Sequence, residues 1–135
     1  MRHIKQVLLD SDLHASKFFL ALSSILMSLL LFWPNDLFSK QTYSVMKYIA
    51  NEHVWATAFL LHGLISLWSL LKSRNTAVFF LLGALLGCVL WSSSCIAILV
   101  SGYPLTAAIS TNISTAFASW WILVRYSLDT CILNK

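Results

Sequence analysis

Four stretches of this chain, 18–33, 53–71, 76–100 and 105–124, contain no Asp, Glu, Lys or Arg. A helix needs about 20 mostly apolar residues to cross a hydrocarbon core ~30 Å thick. All four stretches are near that length, the first being the shortest. Of the 135 residues, 59% are apolar and only 10% are charged, against roughly 25% charged in a soluble domain. So short a chain cannot hide that much apolar surface from water in one core. The expectation is an all-α integral membrane protein, a four-transmembrane-helix bundle forming a single domain over 1–135, with no room for a separate catalytic module.

The boundaries carry interface signals. Lys17 can snorkel at the start of the first span, and Trp33 can sit among headgroups at its end, before Pro34 and Asn35 stop the helix. The first span ends without a small-residue cleavage site, so it reads as a retained helix and not a signal peptide. Residues 1–16 mix charge with Ile4, Val7, Leu8 and Leu13, which fits either a short interfacial helix or a frayed terminus. Residues 40–52 are amphipathic, with Tyr43, Met46, Ile49 or Ala50, and His53 at spacings of three and four. They form an interfacial segment or an extension of the next span. Trp120, Trp121, Arg125 and Tyr126 close the last span as an aromatic belt with a cation.

Orientation follows from the cations. Arg2, Lys5, Lys17, Lys72, Arg74, Arg125 and Lys135 lie on one side of the four-span layout, and only Lys40 and Lys47 on the other. Positive-inside places both termini in the cytoplasm. The net charge of +4 is scattered, with no basic stripe and interleaved aromatics, so nucleic acid is not an expected partner. The expected partners are the lipid bilayer and either further copies of the chain or another membrane protein. The two halves share no evident repeat, which argues against an inverted-repeat transporter.

Chemistry-bearing residues are few. His62 sits mid-span beside Gly63, and Glu52, Trp55, Phe59, His62, Ser66 and Ser69 share one helical stripe. A polar ionisable group at that depth faces the bundle interior. The stripe reads either as a proton path or pore lining, or as a neutral histidine making one interhelical hydrogen bond. The second span also holds nine strongly apolar side chains. At ~0.3–0.6 kcal/mol each they favour insertion by roughly 3–5 kcal/mol, enough to carry that histidine. His53 and His62 lie nine residues apart, on opposite helix faces, and cannot jointly clamp a haem. There is no zinc-ligand spacing, no carboxylate pair and no Asp or Glu within a span, so neither a metal nor another cofactor is expected, and no enzyme activity. Cys88 and Cys95 are too far apart along one helix for a disulfide and read, with Cys131, as small apolar fillers.

Gly83 and Gly87 form a GxxxG pair, whose bare backbone lets another helix approach closely, within the monomer or between copies. The fourth span has two faces. Leu105, Ile109, Ile113 and Phe117 make a large apolar stripe, while Thr111, Asn112, Ser114, Thr115 and Ser119 with several alanines fill the other side. That small-polar side either packs on the other helices or turns to water when copies assemble.

His53-Val-Trp55, His62-Gly63, Leu90-Trp91 and Ser119-Trp-Trp-Ile-Leu-Val-Arg125 together resemble a loose class of small membrane proteins encoded by tailed bacteriophages, over about Tyr43 to Tyr126. The resemblance implies a bacterial inner membrane and a non-enzymatic role in infection. That role is either holin-like permeabilisation, using the small-polar face of the fourth span, or an accessory or exclusion function exerted on another membrane protein. The alternative of a different class is a small subunit of a membrane redox or transport complex served by His62.

Overall fold

The computed structural model describes residues 2–33, 41–71, 77–101 and 107–133. Among them there is no strand. The elements are α1 (Arg2–Phe32), a 3-10 turn (Gln41–Tyr43), α2 (Ser44–Ile49), α3 (Glu52–Leu71), α4 (Ala77–Val100) and α5 (Ala107–Leu133). Residues 34–40, 72–76 and 102–106 lie outside the described residues, and with them Pro34, the basic 72–75 connection, most of the turn expected at 101–104, and Leu105.

Among the described residues, three helices are long and apolar enough to cross a membrane: Leu13–Phe32 within α1, Glu52–Leu71, and Val78–Val100. The expected fourth span falls on α5. That helix is 27 residues long but carries Ser110, Thr111, Asn112, Ser114, Thr115 and Ser119 in its first half, and it is not one of the three.

Two helices overrun their expected ends. α1 is continuous over 31 residues, about 46 Å at helical rise, so residues 2–16 form neither a separate interfacial helix nor a frayed end. No Gly or Pro interrupts that stretch. α5 passes residue 124 and continues to Leu133, again without a breaker. Segment 40–52 is instead divided. α2 has only six residues and ends at Ala50, whose backbone is extended at φ −157° and ψ 158°. Asn51 then starts α3, its Oδ1 accepting from the Val54 amide at 3.0 Å as an N-cap. The Trp55 indole donates to the Met46 carbonyl at 3.0 Å and ties α2 to α3.

The long helices pack in a ring, α1 on α3, α3 on α4, α4 on α5, with a slighter contact of α5 on α1. Paired residues give the register. Phe32 meets His53 and Ser24 meets His62, so α1 and α3 are antiparallel. Phe59 meets Trp91 while Gly83 faces Ser66, and Trp120 meets Ser92 while Tyr126 stacks on Phe80. The other two neighbouring pairs are therefore antiparallel too.

The polarity is inverted relative to a soluble bundle. Phe18, Phe19, Leu26, Leu64, Val89 and Phe117 are among many large apolar side chains on the outside. Inside, next to Leu20, Phe59, Trp91 and Ile98, lie Ser24, Ser28, His62, Ser66, Ser94 and Thr115. Lipid removes any hydrophobic reason for helices to associate, so small side chains and interhelical hydrogen bonds hold them together instead. The closest approach is at Gly63, where a Cβ would stand 2.6 Å from Ile25 Cγ1 and 3.0 Å from the Ala21 carbonyl oxygen. The isoleucine can rotate, but the carbonyl moves only with α1. Gly63→Ala is therefore expected to destabilise the bundle by about 1–3 kcal/mol, the usual cost of overpacking. SDS titration of the purified protein in mixed micelles measures it.

Candidate functional site

His62 is at the centre. The heptad-like spacing of α3 (Trp55, Phe59, His62, Ser66, Ser69) turns these side chains inward, where all are buried, and leaves Glu52 half-buried at the helix start. The corresponding inward set on α1 is Lys17, Ala21, Ser24, Ser28 and Leu31. Where the two sets meet, Ser24 Oγ and His62 Nδ1 share a hydrogen bond of 2.7 Å. On the other side of the ring, Ser66 Oγ lies 3.3 Å from Nε2. The Trp91 indole of α4 donates to Ser24 Oγ at 3.2 Å. Three helices are thus joined through one serine hydroxyl, that of Ser24. His53, half a turn out of phase, is exposed against Phe32.

Both glycines of the GxxxG pair face this cluster. A Cβ on Gly87 would stand 2.7 Å from His62 Nε2 and 3.4 Å from Ser119 Oγ, and one on Gly83 would stand 3.1 Å from Ser66 Oγ. The bare backbone of α4 is what lets the histidine and serines of α3 fit beneath it.

Lys17 is not at the interface. It is only 2% exposed, and its Nζ lies 3.2 Å from the centroid of the Phe80 ring without a hydrogen-bond partner. The snorkelling expectation fails because Lys17 is in phase with Ala21, Ser24 and Ser28 on the inward stripe and is preceded by a helix that continues outward. Phe80 is stacked in turn on Tyr126, ring centroids 4.6 Å apart. Between Lys17 and His62 is a cavity of about 10 Å³ lined by these two, Ser66, Gly83, Gly87 and Ser119, with Leu20, Ala84 and Ile122 completing the wall.

A second, larger hollow of about 410 Å³ lies between α1 and α5, where their contact is slight. Phe19, Leu26 and Leu30 form one wall, Ser110, Thr111 and Ser114 the other, and Trp91 is the floor. Asn112 and Thr115 border it from the buried side of α5. The hydroxyls of α5 bond mostly one turn back. Ser114 donates to the Ser110 carbonyl at 2.9 Å, Thr115 to those of Thr111 and Asn112 at 2.8 and 2.9 Å, and Ser119 to that of Thr115 at 2.8 Å.

The expected interface anchors are spread out. Trp33 is exposed just past α1. Trp120 and Trp121 are exposed but follow directly on Ser119, level with Gly87 and the His62 cluster rather than at a helix end. Trp120 donates to Ser92 Oγ at 3.0 Å. Arg125 is half-buried near the Phe80–Tyr126 level.

Sequence reasoning did not single out Lys17, Ser24, Trp91 or Phe80 for the site, nor Gly63 for the contact. The signal available was the three-four spacing of small residues on α1 that runs straight through Lys17. Among the described residues, no group of three or more His, Cys, Asp or Glu side chains could hold a metal ion. Cys88 is buried and Cys95 half-buried, both as free thiols. No protein-family model, curated protein or solved structure matches the chain.

Proposed function

We propose that this chain is a non-enzymatic, four-span protein of a bacterial inner membrane, with both termini cytoplasmic, that acts during phage infection by engaging another membrane protein. The observation carrying the choice of mechanism is the burial of Asn112, Thr115 and Ser119 inside the bundle. A holin-like lesion would need the small-polar face of α5 to meet water, and half of that face is already used within one copy. The other half, Ser110, Thr111 and Ser114, is exposed along the hollow between α1 and α5, where a partner's helix could approach. The fourth span is supported by the length of α5 and its antiparallel packing on α4. The cation distribution supports the orientation, and the motif resemblance alone supports the phage setting. A role in a redox complex would require His62 to give up one of its two serine partners.

Reporter fusions after residues 38 and 103 are expected to read periplasm, and fusions after 73 and 135 cytoplasm. A periplasmic C-terminus would remove the four-span layout. Mechanism is tested by single cysteines at 112, 115 and 119 in a background lacking Cys88, Cys95 and Cys131. A membrane-impermeant thiol reagent should leave all three unlabelled, and induced expression should not collapse the membrane potential. Labelling at those positions together with lysis would establish the holin-like mechanism instead.

A further inference from the structure

The chain buries an amine that no described residue satisfies with a hydrogen bond. An ammonium has three hydrogens to donate, and burying a polar group without a partner is costly. Lys17 Nζ has only the face of Phe80, a cation–π contact that covers one side. The rest of its surroundings include the cavity of about 10 Å³ that it shares with His62. That volume is about one water-sized sphere, and a buried water needs two to four polar partners. The walls offer four: Lys17 Nζ, the Nε2 edge of His62, Ser66 Oγ and Ser119 Oγ. The space exists because position 87 is glycine, since a Cβ there would press on Nε2.

We infer that this cavity binds one water molecule, which links the Lys17 amine to His62 and makes the two a single proton-binding unit inside the bundle. In the tautomer with the ring hydrogen on Nδ1, donated to Ser24 Oγ, the one Nε2 lone pair accepts either from Ser66 Oγ, 3.3 Å away, or from the cavity water once Ser66 turns aside, and Ser24 accepts from Trp91 with its second lone pair. Transfer is then balanced. The water takes one proton from the Lys17 ammonium and gives one of its own to Nε2, leaving a neutral amine, an unchanged water and an imidazolium. Two cations this close in low dielectric repel, so the unit holds one proton and not two.

Among the residues whose side chains are described, other titratable groups around it are few. On α1, His14 is exposed one turn away. On α3, Glu52 is ten residues from His62, at the far end. On α4 there is the Cys88 thiol beside Gly87, and on α5 Tyr126 stacks on Phe80, with half-buried Arg125 preceding it in the chain. Lys17 makes no ion pair with any described carboxylate.

The test is NMR on the full chain in lipid nanodiscs with ¹⁵N-labelled lysine and histidine. In the wild type, a cross-peak from water to the His62 ring is expected, and Lys17 and His62 should report one shared titration midpoint. Lys17→Met should move the His62 midpoint by about one pH unit, a tenfold change in proton affinity, and His62→Gln should do the same for Lys17. Either of two wild-type results overturns the inference without any variant: no water contact at His62, or two separate midpoints. If a variant fails to fold, the wild-type spectra still decide. Midpoints unmoved in well-folded variants would also refute the coupling.

Discussion

Gly87→Leu is expected to abolish the bundle. The first atom of the new side chain would lie 2.7 Å from His62 Nε2, and the imidazole cannot swing away because Ser24 holds Nδ1 at 2.7 Å. Ser119 closes the other flank. Three further carbons have no space, so α4 must lift off α3. Gly87→Ala adds only the first atom and should cost about 1–3 kcal/mol. The expected readout is loss of a monodisperse peak in detergent for the leucine variant and an earlier SDS unfolding midpoint for the alanine variant. Specificity comes from a double-mutant cycle. In a His62→Ala background, Gly87→Ala should cost much less, because the clashing ring is gone and the two changes are not additive. Full stability of Gly87→Leu would mean that α4 does not rest on His62.

Trp91→Ala should be the next most damaging change. Its ring is buried, 5.0 Å between centroids from Phe59, while its indole N–H reaches Ser24 and its outer edge floors the hollow between α1 and α5. In a soluble core such a truncation costs about 3–5 kcal/mol, partly transfer and partly cavity. In lipid the transfer part largely disappears, since the unfolded helix is also in an apolar solvent. The packing part remains, so a loss of about 2 kcal/mol is expected. Trp91→Phe keeps the aromatic contact and removes only one donor, while Ser24 keeps His62 as a partner. It should cost about 1 kcal/mol. If the two substitutions unfold at the same SDS fraction, the ring does not support the core.

The α3 stripe from Trp55 to Ser69 could be read directly from the residues because its spacing of three and four admits one face only, and that face is the buried one. The inversion of polarity was legible too, since so many apolar residues can only face lipid. Lys17 was not legible. A single cation at a span's edge fits an outward snorkel as well as an inward stripe, and what decides is a helix that begins at Arg2, well before the apolar run. Gly63 was missed because its close partners, Ala21 and Ile25, are on another helix, 38 and more residues away. The ends of α1 and α5 were misplaced for a shared reason. Hydropathy marks where lipid stops, whereas only a breaker or a cap marks where a helix stops.

The serine and threonine hydroxyls that bond back along their own helix are concentrated on α5 more than on α3 or α4. A hydroxyl bonded to the carbonyl one turn back competes with the amide that already uses that carbonyl, which weakens the ladder and lets the axis bend. On α5 the carbonyls of residues 110, 111, 112 and 115 are all shared in this way, along the wall of the hollow next to α1. Opposite stands α1, whose wall is phenylalanine, leucine and methionine with Ser23 as its one hydroxyl. Of the two walls of the hollow, the α5 side is therefore the more pliant. The hollow can widen or narrow by curvature of α5 alone, while Ser24, His62 and Trp91 behind it stay in register.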